Sequence, residues 1–193
     1  MTAYFMHFFK KIKIIVISVA ILLLVAMANK FTLYDDNKIL IKDVMISKNN
    51  NLYNVSFIQE LKLDDLIKEA IDKGIPLVFK LTLKIVKLNN ISLDNTIKKE
   101  VRYYQIKYKA LRKIYRIIDI NEEKYEYKNL DQAIQKMLKV ESLEFSFVDD
   151  EMNYELWLNV SLDRKKLPKP LQVNFFNKTW SMSSGNSIHK MEN

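Results

Sequence analysis

The stretch IPLVFKLTLKIVK, Ile75 to Lys87, sets apolar Ile75, Leu77, Phe79, Leu81, Leu83 and Ile85 against polar Lys80, Thr82 and Lys84. Successive side chains of a strand point to opposite faces, so a period of two over this length predicts a sheet with one buried and one wet face. Antiparallel sheets are the ones that commonly tolerate water on one side. Leu143, Phe145 and Phe147 alternate in the same way with Glu144 and Ser146. So do Tyr154, Leu156, Leu158 and Val160 with Glu155, Asn159 and Ser161. Two further strand-like runs, ILIKDVMIS and LYNVSFIQEL, flank Lys48 to Asn51, where asparagine tolerates the left-handed backbone of a hairpin turn.

Two amphipathic segments interrupt the strands. DDLIKEAIDKG places Leu66, Ile67, Ala70 and Ile71 on one stripe, with Asp64 or Asp65 as N-cap and Gly74 as the stop. NLDQAIQKMLKV places Leu130, Ala133, Ile134, Met137 and Leu138 on another, with Asn129 as N-cap and Gln132 completing a capping-box-like pair. A strong strand follows each, so the second half of the chain echoes the first: hairpin strand, helix, strand. The predicted fold is mainly β (α+β). It is an antiparallel two-layer β-sandwich of about eight strands with two short inserted α-helices, preceded by an N-terminal hydrophobic helix. Asp149 to Asn153 is predicted to join two of the strands as a hairpin turn, and the polar residues after Ser184 to form a frayed tail.

The N-terminus speaks to location. MTAYFMHFFKKIK carries Lys10, Lys11 and Lys13 and no acid, and an apolar run follows from Ile14 to Ala28. That run is shorter than the roughly 18 to 20 residues of a spanning helix. It fits the core of a secretory signal, with Ala26-Met27-Ala28 as a small-x-small cleavage site; Phe5, Phe8 and Phe9 could instead extend it backwards into a membrane anchor. Both readings keep the lysines in the cytoplasm and put the rest of the chain outside it. The expected organisation is a signal or anchor over 1–28, a linker over 29–37, one extracytoplasmic domain over 38–184 and a tail over 185–193. The expected location is the periplasm, secreted or tethered to the inner membrane and facing the periplasm.

Composition narrows the chemistry. There is no cysteine, hence no disulfide framework, thiol nucleophile or cysteine-based zinc site, and two glycines leave little room for a phosphate-cradling loop. The two histidines, His7 and His189, fall in the leader and the tail, where neither would be held beside a serine. The inventory points to no enzyme and to no cofactor or metal. A formal net charge of +8, three lysines of it in the leader, leaves a moderately basic domain that anionic lipid surfaces attract.

Three blocks carry a resemblance: AIDKGIPLVF (Ala70 to Phe79), YKALRKIYRI (Tyr108 to Ile117), and LDRKKLPKPLQV (Leu162 to Val173) with Trp180-Ser181-Met182-Ser183 downstream. In this order, behind a signal-like N-terminus, the chain resembles the bacterial domain-of-unknown-function 4390 family over nearly all its length beyond the leader. The family brings no established activity. Its genes sit beside a membrane sensor kinase, so the resemblance implies a partner of that kind. Asp163, inside the third block, is expected to bond local backbone or pair with a basic side chain.

Two stretches are candidate docking elements. Pro168 and Pro170 each fix their own backbone and push Leu167 and Lys169 to extended angles. Leu167-Pro168-Lys169-Pro170 is therefore predicted to be a rigid extended connection, pinned to the core by Leu167 and Leu171. It serves either as a guide for a following strand or as a preordered docking strip. KKEVRYYQIKYKALRKIYR, Lys98 to Arg116, has eight basic residues against a single acid, Glu100, with tyrosines between them. Tyr104, Tyr108, Arg112 and Arg116 are its candidate partner-binding residues. In a cell's interior such a pattern suits single-stranded nucleic acid, but export removes that ligand. An acidic membrane-protein partner or an anionic lipid surface remains. The function expected is a periplasm-facing interaction module, with a carrier of a lipid or other apolar ligand between the sheets as the alternative.

Overall fold

The computed structural model describes residues 39–88, 95–146, 154–172 and 180–191, and the chain from Asn37 onward forms one compact unit. The leader and linker lie outside the described residues. No described helix is long and apolar enough to cross a membrane.

The fold is mainly β. Strands β1 (Ile39–Asn49), β2 (Leu52–Leu61) and β7 (Lys139–Ser146) form one antiparallel sheet in the order β1-β2-β7. Strands β3 (Leu77–Lys87), β4 (Asn95–Lys109), β5 (Ile114–Ile118), β6 (Lys124–Tyr127), β8 (Tyr154–Leu162) and β9 (Ser187–Met191) form a second, in the order β6-β5-β4-β3-β8-β9. Helix α1 (Asp65–Asp72) leads into β3 and α2 (Leu130–Leu138) into β7. A 3-10 turn (Arg164–Lys166) and a single helical turn, α3 (Lys169–Gln172), follow β8. Both sheets feed one hydrophobic core: Tyr53, Val55 and Phe57 from β2, Leu143 and Phe145 from β7, and the alternate residues of β3 and β8. This arrangement is consistent with the sandwich-like domain expected from the alternation.

Local chemistry explains most boundaries. β1 and β2 form the expected hairpin, closed at Asn49 and Leu52, with Asn50 at φ 54° in the turn. Asn129 caps α2, its side chain accepting from the amides of Asp131 and Gln132 at 2.7 and 3.3 Å. Asp64 is the N-cap of α1 but makes no side-chain capping bond; the backbone carbonyl alone starts that helix. Gly74 stops it at φ 81°, in the left-handed region where a side chain is strained.

Three expectations are corrected. The outer face of β3 is not uniformly wet, because Thr82 and Val86 are buried there. β3 sits in the sheet's interior, between β4 and β8, so both its flanks are covered, and its own Lys84 leans out over the Trp157 ring of β8. β7 and β8 are not a hairpin, since β7 pairs with β2 and β8 with β3. The segment expected to turn, Asp149 to Asn153, lies outside the described residues. The echo between halves crosses sheets as well: each hairpin lies in one sheet and the strand after its helix in the other. The expected frayed tail instead forms β9, antiparallel to β8 from Leu158–Ser187 to Tyr154–Met191. Met191 reaches the core, which gives this polar segment an apolar anchor.

Candidate partner-binding surface

The Leu167 to Pro170 strip lies at the surface and is extended only at its start: Leu167 keeps the expected backbone, φ −72° and ψ 156°, while Lys169 and Pro170 open a helical turn instead of continuing it. Leu167 is buried and Leu171 packs on the core, as expected, while Pro168, Lys169 and Pro170 are exposed. The amides of Leu171 and Gln172 both donate to the Pro168 carbonyl, at 2.9 and 3.3 Å. Prolines cost nothing here, because the first amides of a helical turn have no intrahelical acceptor. The Gln172 side-chain amide donates to the carbonyls of Lys165 and Leu167, and the Asp163 carboxylate accepts from the Lys165 amide at 3.1 Å, so the block ties itself into a compact knob. The strand expected after it lies outside the described residues. Pro168→Ala with Pro170→Ala keeps these contacts but frees the unfolded chain, so stability should fall by about 1–2 kcal/mol in all. Urea unfolding checks this, and an unchanged midpoint would mean that the turn gains nothing from its prolines.

The aromatic and basic hairpin forms as β4, a four-residue turn and β5, but its four named residues do not make one surface. Tyr104 is buried, stacked on Phe79 with ring centroids 5.3 Å apart, and its hydroxyl donates to Gln59 Oε1 at 2.5 Å. It cannot touch a partner. Tyr108 packs on Tyr115 at 4.8 Å. Arg112 and Arg116 both hold Glu126, at 2.9 and 2.7 Å, and the Arg116 hydrogen bond keeps that carboxyl below its usual range. The two guanidinium groups thus share one carboxylate on the neighbouring strand β6. From Lys98 on, past a register shift, even-numbered residues of β4 face inward. Lys98 and Arg102 accordingly donate to the carbonyls of Ser146 and Glu144 on β7.

The odd-numbered residues of β4 point the other way, and there a surface assembles that the sequence reading did not single out. Register places Tyr103 opposite Lys80, Val101 opposite Thr82 and Lys99 opposite Lys84. On the other side of β3, Lys84 stands opposite Trp157, which in turn stands opposite Ile188. Val101, Tyr103 and Ile188 are each exposed by 40% or more. A cleft of about 590 Å³ opens on this face, floored by Val78, Tyr103 and Ile118, with Lys124, Lys166 and Glu122 around it. Lys80, Lys99 and Lys107 have no ion-pair partner among the described residues, and Lys84 has only the Trp157 ring. The signal for this face was present: Lys80, Thr82 and Lys84 alternate with the core residues of the clearest strand. What the sequence did not show was which neighbours share that side.

A Ser–His pair also appears, against expectation. Ser187 Oγ lies 2.7 Å from His189 Nε2 because β9 puts residues two apart on one side. Burial pushes the His189 pKa down. No described carboxylate bonds the other ring nitrogen, so the pair lacks the group that orients a catalytic histidine. Among the described residues no group of three His, Cys, Asp or Glu side chains gathers to hold a metal.

The molecule is thus a mainly β domain whose broadest sheet turns a basic and aromatic face outward. Over residues 36–189 the chain matches the family described as Domain of unknown function (DUF4390), and it belongs to that family. No curated protein and no solved structure matches it.

Proposed function

We propose that this chain is a non-enzymatic interaction module of the cell envelope. It is a two-layer β-sandwich facing the periplasm that docks an acidic surface of a membrane protein on the outer face of its six-stranded sheet. The observation that carries the reading is the cross-strand placement of Lys84 opposite Lys99, with Lys80 four residues back along β3 on the same face and only Thr82 and Val101 between. Like charges directly opposite one another destabilise a sheet. A face that keeps them, beside exposed Tyr103 and Val101, suits an anionic protein surface with an apolar centre. The outer domain of a membrane sensor kinase is the partner class that the family resemblance implies. A lipid carrier would need a void between the sheets. Val55, Ile85, Ile106, Leu156 and Leu158 are wholly buried, and the cleft of about 220 Å³ that touches both sheets, at Tyr104 and Val140, is rimmed by Asp119, Glu123 and Lys136; a small polar-rimmed cleft favours the interaction reading over an apolar cargo.

The charge pair gives a test in which folding and binding move in opposite directions. A photoreactive residue at Tyr103 in intact cells should yield one dominant envelope adduct. Lys99→Glu converts a like-charge pair into an opposite one, so stability should rise by about 0.2–1 kcal/mol while the adduct is lost. If no specific adduct forms, or if Lys99→Glu leaves it intact, this face is not the docking surface.

A further inference from the structure

We infer that the β4–β5 hairpin tip is a contact site for an anionic lipid bilayer, an inference that rests on the proposed placement of the domain at the envelope membrane. Leu111 is fully exposed, with 103% of its reference surface open to water. It stands in a built turn and not in a loose loop. The amide of Arg112 donates to the Lys109 carbonyl at 3.1 Å, that of Lys113 to the Ala110 carbonyl at 3.2 Å, and Lys113 adopts φ 51°. The strand pairing closes directly beneath, at Lys109 and Ile114. A tight four-residue turn has no need of leucine, and nothing among the described residues covers this one.

The charges around the tip fit the same occupant. Arg112 is held by Glu126, and among the described residues Lys107, Lys109, Lys113 and Lys128 have no ion-pair partner. Lys128 belongs to this end because Tyr127, the residue before it, pairs with Tyr115. Tyr108 and Tyr115 pack against each other at a 43° tilt in the stem just below, and the Tyr115 hydroxyl donates to Asp72 at 2.6 Å, so the stem holds the tip firmly to the domain. One apolar side chain ringed by lysines lacks the packed pocket of a protein hot spot. It matches a surface that is soft, apolar beneath and negatively charged above: leucine enters the headgroup boundary, and the lysines stay with the phosphates.

The chain has no cysteine, so a single label can be placed cleanly. The full chain carrying Ala110→Cys, labelled with an environment-sensitive dye, is reconstituted into vesicles of phosphatidylcholine with or without phosphatidylglycerol and with quencher-labelled acyl chains. Quenching is expected in the phosphatidylglycerol vesicles and not in phosphatidylcholine alone. It should be lost with Leu111→Ser and with Lys109→Glu plus Lys113→Glu, each lysine being worth about fivefold in surface partition. A label at Asn51→Cys, on the β1–β2 turn, should stay unquenched. Equal quenching at both labels, equal quenching in both membranes, or protection of the tip only when envelope proteins are added overturns the inference. Lys99→Glu should leave the tip signal intact, so failure of the sheet-face proposal and failure of this one are separable.

Discussion

Phe79→Ala is expected to cost about 3–5 kcal/mol, a large part of the roughly 5–15 kcal/mol that holds such a domain together. Phe79 is 1% exposed, stacks on Tyr104, and sits in β3 between β4 and β8. Removing its ring leaves a cavity walled by two neighbouring strands that cannot collapse inward without breaking their own pairing. At roughly 2–4 °C per kcal/mol for a chain of this size, the melting temperature should drop by about 6–20 °C. Val101→Ala, on the outward side of the neighbouring strand, should stay within about 0.5 kcal/mol. The pair tests the register as well as the core. A slip of one residue would exchange the two faces of β3 and put Lys80 where Phe79 now lies. If Phe79→Ala were as mild as Val101→Ala, the register would be wrong.

Much of this architecture was written in alternation. β3 and β8 show their buried residues in the sequence because the apolar side of each is unbroken over its whole length. The same logic applied to β4 was incomplete. Tyr104, Ile106 and Tyr108 share a face, which is a core signal, yet Lys98, Glu100 and Arg102 share it too. β4 runs fifteen residues, and its inward side therefore changes character along its length. Tyr104 and Ile106 enter the core, while Lys98 and Arg102 tie to carbonyls of β7. Local sequence sees a basic stripe there; only the opposing sheet divides it. The turn at Pro168 was illegible for a related reason. What closes it is the Gln172 side chain reaching back to Lys165 and Leu167, a contact that no rule about proline and its preceding residue contains. Which sheet β7 joins could not be read either, because an alternating strand records its faces and not its neighbours.

Tyr104→Phe is expected to cost about 1–3 kcal/mol, although it removes one oxygen atom and no packing volume. The hydroxyl is the one described partner of the Gln59 side chain, which is 2% exposed and whose Nε2 has no hydrogen-bond partner among the described residues. Losing the hydroxyl strands both ends of a buried amide, and a stranded polar group keeps its full desolvation penalty. Gln59→Met in the same chain should recover most of the loss, because replacing both partners by apolar groups of similar shape removes the penalty altogether. Titration offers a second readout. Burial raises the Tyr104 pKa, partly opposed by the Gln59 bond. A raised folded pKa means that the associated stability is complete below the ordinary tyrosine value of about 10 and is lost as pH climbs above it. Tyr104→Phe should therefore flatten the alkaline fall without abolishing it, since burial and the Asp72 carboxylate push Tyr115 up to about 12 as well. Urea unfolding of the four proteins of the cycle, at neutral pH and again above pH 10, decides the matter. A double variant no more stable than Tyr104→Phe alone would show that the Gln59 amide is not stranded.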